Sequence, residues 1–320
     1  MRAAVRTAYG APELQEIDKP GVADNEVLVR VRASSANAAD WYTMTGRPLI
    51  ARVQLGLRKP KDRRLGVDFA GQVEAVGKNV TRFQPGDEVF GGKSGAYAEY
   101  VCVDEGKAIV QKPANVTFEQ AATIGIAAVT ALQGLRDKGS LQAGQKVLIN
   151  GASGGVGTFA VQIAKALGAE VTAVCSTRNV DIARSNGADR VIDYTQEDFT
   201  RSDQRYDLIF DVAGSRSWAE CKRVLTPQAA LVLVGAPKGN RLLGPLGHIA
   251  AVKLAAVPSS QRAVFFVAQI NKADLDILRE LLEAGKVTPV LDKHYDLSEI
   301  ADALRYMGEG HAQGKIVITV

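Results

Sequence analysis

Polar and apolar positions change rhythm along this chain. Near the start the period is two: Val27, Val29 and Val31 alternate with Arg30 and Arg32, as in a half-buried strand. Short strand-like runs recur at 87–90 and 98–103. Turn signals separate them at Lys19-Pro20-Gly21, Gln84-Pro85-Gly86-Asp87 and Gly91-Gly92. Short strands broken by turns predict a compact, partly closed β-barrel. Near residue 117 the rhythm lengthens. Thr117-Phe118-Glu119-Gln120 has capping-box spacing and opens an alanine-rich helix through Leu135. From Lys146 onward strands are predicted at 146–151, 170–176, 190–194, 206–213, 230–236 and 263–269. Helices are predicted at 155–167, 178–186, 217–225 and within 243–256. Such alternation implies a parallel sheet with crossover helices on both faces. A helix at 273–284, a turn at Gly285 and a strand at 315–320 complete the pattern.

Length, composition and charge narrow the classes. A chain of 320 residues holds one large domain or two ordinary ones. Its 46% hydrophobic and 23% charged residues are those of a soluble globular protein. The net charge of +4 suits an anionic small ligand and makes no case for nucleic acid. Three widely separated cysteines, Cys102, Cys175 and Cys221, form neither a disulfide framework nor a metal-ligand spacing, which points to a reducing, cytoplasmic setting. The first residues carry no signal-peptide apolar region. The apolar run at 248–258 is broken by Lys253 and is too short to span a bilayer, so no membrane partner is expected.

The chemistry is concentrated in Asn150-Gly-Ala-Ser-Gly-Gly-Val-Gly157, at a strand-to-helix junction. Ala152-x-Gly154-x-x-Gly157 has the spacing of a dinucleotide-binding fingerprint with alanine first. A small first residue permits the tight turn, the second lets a pyrophosphate approach the main chain, and the third lets helix and strand pack closely. The helix N-terminus then offers N–H groups and a positive dipole end to phosphates. Ser153, Gly154, Gly155 and Val156 are the expected cradle. An NAD site commonly places an acidic residue about 20 positions on, at the end of the second strand. Here Cys175-Ser176-Thr177-Arg178 stands there instead. Hydroxyls and a guanidinium would bind a 2′-phosphate that a carboxylate would repel, so NADP(H) is favoured over NAD(H).

Several stretches together resemble the medium-chain dehydrogenase/reductase superfamily, in its zinc-independent quinone oxidoreductase (zeta-crystallin-like) branch. They are Asn37-Ala-Ala-Asp40, Gly66-Val-Asp-Phe-Ala-Gly71, Phe83-Gln-Pro-Gly-Asp-Glu-Val-Phe90, residues 112–122, residues 151–157 and Gly314-Lys-Ile-Val-Ile318. The resemblance covers essentially the whole chain. It implies an α/β protein with a GroES-like β-barrel catalytic domain (1–121 and 271–320) and a Rossmann, doubly wound parallel-sheet domain (122–270), with the active site in the cleft. Where zinc-dependent relatives carry ligands, this chain reads Asn37, Val67 and, near the third place, Ile126. No zinc is therefore expected. His248, His294 and His311 lack ligand spacing and are expected on the surface or in loops.

Without a metal to stabilise an alkoxide, hydride transfer is easier to an acceptor that delocalises charge itself, such as a quinone or an α,β-unsaturated carbonyl. The resemblance puts Asn37 and Tyr42 beside the nicotinamide, with Tyr42 as hydrogen-bond or proton donor, or as a packing residue. Asp40 and Asp68 are expected to be structural acids. Thr130 is implied near the nicotinamide ribose or phosphates. Ser176, Thr177, Arg178 and Tyr194 resemble a 2′-phosphate pocket. Val234, Phe266, Val267 and Ala268 match segments that hold the carboxamide, and Lys315 is placed near the phosphates. Relatives pair their Rossmann edge strand across a homodimer. The basic stretch 51–64 reads as a lid or substrate wall, a nucleic-acid patch, or a solvated loop. Two other readings compete with quinone or enone reduction: an NADPH-binding sensor or structural module with little catalysis, and an enoyl-thioester reductase.

Overall fold

The computed structural model describes residues 1–239 and 242–320, and the chain divides into two compact units: Met1–Val129 with Gln269–Val320, and Thr130–Ala268. The sequence offers no break at the first crossing, expected at 121/122. The helix opened by Thr117 does form its capping box, with Gln120 N–H donating to Thr117 Oγ1 (3.2 Å) and Thr117 N–H to Gln120 Oε1 (3.0 Å). The run continues as Phe118–Ala121, a wide turn Ile124–Ala128, Val129–Gln133 and a second wide turn Gly134–Lys138. At the first wide turn the Ile126 N–H donates to the Asp68 carboxylate (2.8 Å), an inserted side chain of the kind that opens an α-helix.

In the first unit a seven-stranded sheet runs from Leu291–Asp296 through Lys315–Thr319, Glu26–Ala36, Asp68–Val76 and Glu88–Gly92 to Ile109–Gln111, and Tyr100–Asp104 pairs with Glu26–Ala36. The predicted alternation at Val27, Val29 and Val31 is the inward face. Those residues pack with Phe69, Val73, Val89, Val101 and Ile109 in one core. The final strand pairs antiparallel with Glu26–Ala36, setting Ile316 against Ala36 and Ile318 against Ser34. Two tail elements escaped the sequence reading. The strand Leu291–Asp296 has only a weak alternation. The helix Ile300–Glu309 buries Ile300, Ala303 and Leu304 against Ile316 and Ile318. Each buried Ile or Leu side chain contributes about 1.5–3 kcal/mol.

The second unit is a six-stranded parallel sheet ordered Arg190–Asp193, Glu170–Cys175, Lys146–Asn150, Tyr206–Asp211, Leu225–Leu233, Arg262–Phe265. Every expected strand is present. The last ends at Phe265 rather than 269, and the fifth begins earlier, at Leu225. The strand order reverses beside Lys146–Asn150, the switch point at whose carboxyl end open α/β sheets bind ligands. The helix Gly155–Ala166 follows directly and buries Phe159, Ala160, Ile163 and Ala164.

Candidate functional site

In the first unit a buried polar cluster has grown around the start of helix Ala38–Thr45. Asn37 is its N-cap and Asp40 its third residue, joined as a capping box in which Asp40 Oδ2 accepts the Asn37 N–H (2.9 Å). The Tyr97 hydroxyl donates to the same Oδ2 (2.9 Å). Asp68, at the start of the next strand, accepts from Ser35 Oγ (2.9 Å) and Asn37 Nδ2 (2.8 Å) on one oxygen and from Ile126 N–H on the other. A Cβ on Gly125 would stand 2.3 Å from that second oxygen, so the carboxylate fits only against bare main chain. Lys315 closes the cluster. Its ammonium donates to Asn37 Oδ1 (2.6 Å) and Ala36 O (3.3 Å) and lies 3.6 Å from Asp68.

Asp68 is wholly buried, Lys315 is 1% exposed and Asp40 3%. Burial, and then the charge of Asp68, push the Asp40 carboxyl up to about 6. Burial drives Asp68 up and Lys315 down, each toward its neutral form, while their mutual attraction opposes it. Burial followed by Asp40 holds the Tyr97 hydroxyl well above its ordinary value. One cation thus serves two carboxylates inside the unit.

This arrangement corrects two expectations. Lys315 does not stand ready for a phosphate, because its ammonium is enclosed and committed to Ala36, Asn37 and Asp68. Asn37 has both ends of its amide occupied: the oxygen by Lys315, the nitrogen by Asp68 and Ser35 O (3.3 Å). Tyr42 lies on the same helix, half-buried, its ring edge-on to Trp41 at 5.1 Å. Burial raises its hydroxyl above the ordinary value, so it keeps its proton at neutral pH.

In the second unit the glycine turn has the geometry its spacing predicted. A Cβ on Gly157 would stand 2.1 Å from Gly151 O and 2.8 Å from Ala152, so helix and turn touch main chain to main chain. A Cβ on Gly154 would meet nothing nearer than Gly151 O at 3.7 Å, leaving the outer side of the turn open. Gly155 and Val156 form the first turn of the helix. The residues therefore fit a pyrophosphate: an approachable main chain, at a helix N-terminus, at the switch point.

Beyond the second strand, Ser176 caps the turn Thr177–Asn179. Asn179, which no sequence signal marked, is buried and donates through Nδ2 to both Ser153 Oγ (2.9 Å) and Ser176 Oγ (3.1 Å). It ties the glycine turn to the turn after the second strand and leaves each serine proton available to a ligand. Thr177 departs from expectation. Its hydroxyl donates to Asp193 Oδ2 (2.6 Å), so its single proton is not available for a phosphate. Arg178 is exposed, and Tyr194 is 54% exposed next to Asp193. Val234 follows the fifth strand, and Phe266, Val267 and Ala268 follow the last, outside any helix or strand. Thr130 lies in helix Val129–Gln133, partly buried.

One further residue emerged only in three dimensions. Asp211 is buried at the carboxyl end of the fourth strand, and its Oδ1 accepts from Asn150 Nδ2 (2.8 Å) and Gly214 N–H (2.7 Å). Burial pushes it up to about 6. His248, expected on the surface or in a loop, instead lies on helix Pro245–Ala256 with Nε2 buried; the helix packs its inner face on the sheet and carries the ring inward. His294 and His311 are exposed, as expected. A cavity of about 790 Å³ opens beside the amino ends of the strands, lined by Lys146, Arg190, Glu197 and Asp207 among others. That is the edge opposite the glycine turn. Among the described residues no group of three or more His, Cys, Asp and Glu side chains is placed to hold a metal ion.

Comparison with known proteins agrees with this two-part architecture. Residues 23–114 match the alcohol dehydrogenase GroES-like domain, and residues 186–318 match a family described as zinc-binding dehydrogenase. The mouse mitochondrial NAD(P)H oxidoreductase RTN4IP1 is 35% identical over 327 residues, covering 92% of this chain and 82% of that protein. The chloroplastic NADPH-dependent alkenal/one oxidoreductase of Arabidopsis thaliana is 31% identical over 99% of this chain and 79% of its own. The solved quinone oxidoreductase of Coxiella burnetii superposes with a TM-score of 0.85 at 28% identity, covering 100% of this chain and 99% of that one. A GroES-like unit joined to a Rossmann-type unit defines a dehydrogenase/reductase architecture. The chain belongs to the medium-chain dehydrogenase/reductase superfamily, as a member of quinone-oxidoreductase type.

Proposed function

We propose that this chain is an oxidoreductase that uses NADPH to reduce a quinone or an α,β-unsaturated carbonyl compound without zinc. The observation that carries the zinc-free part is the Lys315 ammonium. It occupies the centre of the polar cluster and is bonded to Asn37, one of the positions that the resemblance matches to a zinc ligand. The other two, Val67 and Ile126, bring aliphatic side chains, so the donor set does not fit zinc. Reduction by NADPH is supported by what the similar proteins are named for, and by the open main chain at Gly154.

Bound NADPH would supply a hydride to the electron-poor acceptor. The chain's own contribution is binding and proton handling. Ser153, Gly154, Gly155 and Val156 would hold the pyrophosphate. Ser176 and Arg178 would hold the 2′-phosphate, against the nearby Asp193 charge, which makes the guanidinium the decisive group. Tyr42, which keeps its proton at neutral pH, would donate a hydrogen bond or proton to the oxygen on which charge develops. Asn37, with its amide filled, positions that helix rather than touching the acceptor.

The free thiols Cys102, Cys175 and Cys221 fit a reducing compartment such as the cytoplasm. The edge strand Arg262–Phe265, paired on one side, offers a site for a second copy. The test is turnover across quinones, enones, enoyl thioesters and simple alcohols, with NADPH and NADH, beside metal analysis. Quinone or enone turnover, with Arg178→Ala weakening NADPH about 10–100-fold more than NADH, is the expected result. Alcohol oxidation with stoichiometric zinc would overturn the reading. Tight NADPH binding without turnover would favour a sensor, and turnover of thioesters alone an enoyl-thioester reductase.

A further inference from the structure

Residues 47–64 carry seven cations and one carboxylate, a net of +6 in a chain whose total is +4, so the remaining 302 residues sum to −2. The chain's positive charge is therefore a property of this one segment. It is also built rather than loose. Leu49–Ala51 and Arg52–Leu55 form consecutive helical turns, and the Tyr9 hydroxyl donates to Gly56 O (2.5 Å). Arg52 stacks 4.2 Å from the Tyr9 ring centroid and donates to Gly46 O (2.9 Å), while Lys61 N–H donates to Leu55 O (2.8 Å).

Fixed in this way, the segment turns three aliphatic side chains outward: Ile50, Val53 and Leu57 are 44%, 67% and 71% exposed. Arg47, Arg58, Lys59 and Lys61, close to them in sequence, are exposed as well. The one carboxylate is already engaged, with Asp62 accepting from Ser94 Oγ (2.6 Å) and the Arg64 N–H (3.0 Å). Exposed aliphatic side chains interspersed along one short segment with an excess of exposed cations are the composition of an interfacial element.

We propose that this projection docks the protein on an anionic lipid surface, with Ile50, Val53 and Leu57 entering the headgroup boundary and Arg47, Arg58, Lys59 and Lys61 facing lipid phosphates. The charge excess selects an anionic partner. The absence of Phe, Trp and Tyr from 47–64 leaves nothing to stack on bases, which disfavours single-stranded nucleic acid. A second copy would oppose the same cations to themselves. The contact is peripheral: no helix among the described residues is long and apolar enough to cross a membrane. The sequence-based expectation of no membrane partner rested on the lack of a spanning segment, which does not bear on a surface contact. The inference stands on this surface and is independent of the acceptor reduced.

The test is flotation of the whole protein with vesicles of phosphatidylcholine alone, or with a third phosphatidylglycerol, at low and high salt. Two variants accompany it: Arg58→Ser/Lys59→Ser/Lys61→Ser, and Val53→Ser/Leu57→Ser. Thermal unfolding verifies that each variant folds. The expected result is binding to anionic vesicles only, weakened by salt, and lowered about a hundredfold by removing the three cations. Loss of the two aliphatic side chains should also lower it. Absence of anionic-vesicle binding would overturn the proposal. So would binding that both folded variants retain, or a preference for RNA or DNA that the triple variant abolishes.

Discussion

Replacing Lys315 by Met removes the single cation of the buried cluster while keeping most of its volume. At 3.6 Å from Asp68, with an effective dielectric near 20, the gross attraction is about 5 kcal/mol. The substitution also strips Asn37 Oδ1 of its donor and leaves two carboxylates, Asp40 and Asp68, in a unit that excludes water. Breaking a buried pair from one side typically costs about 3–5 kcal/mol. For a domain of this size each kcal/mol lowers the midpoint by roughly 2–4 °C, so the first unit should melt roughly 6–20 °C earlier. The pH dependence carries the sign of the argument. In the variant the Asp68 carboxyl rises further above its unfolded value. The stability it contributes is then complete below that unfolded value and is lost as pH rises through the folded one. The deficit against the wild type should therefore be larger at pH 8 than at pH 5. Lys315→Met/Asp68→Asn should recover most of it, because the carboxylate that faced Lys315 directly is gone and Asp40 loses its like-charged neighbour. Calorimetry of the three proteins at both pH values is the assay. A single variant that melts within 2 °C of the wild type at pH 8, or a double variant no better than the single, would refute the reasoning.

Gly157→Ala should lower the melting point and abolish nucleotide binding, since its Cβ meets Gly151 O at 2.1 Å; overpacking of this kind costs about 1–3 kcal/mol. Gly154→Ala should melt normally yet weaken NADPH, read by fluorescence titration, because its Cβ enters only the space a ligand would use. Tyr42→Phe should lower kcat about 100-fold with little change in stability if the hydroxyl donates to the acceptor; an unchanged kcat would reduce Tyr42 to packing. Asp211→Asn should gain stability relative to the wild type as pH rises from 4 to 7. The wild-type carboxyl, up near 6, loses its contribution through that window while the amide does not titrate. A flat difference curve from denaturant titrations would count against that assignment.

What the chain disclosed directly was periodic or contiguous. Period-two valines at 27–31, the alternation of strands and helices from 146, and the glycine spacing at 152–157 each state a local geometry in consecutive residues. The physical reason is that side-chain alternation, helix repeat and tight turns are decided within a few residues of chain. Lys315 illustrates the limit. In sequence it is a polar residue at the start of an apolar strand, and its role as counter-ion to Asp68 arises because strand pairing sets residue 316 opposite residue 36. Asn179 likewise acquires its place between Ser153 and Ser176 only when two successive strand ends meet side by side. Thr177 read as a phosphate ligand until Asp193, one strand over, took its proton. Charge compensation and hydrogen-bond satisfaction in a dry interior depend on which distant groups are brought within about 3 Å, and that is settled by packing rather than by any run of residues.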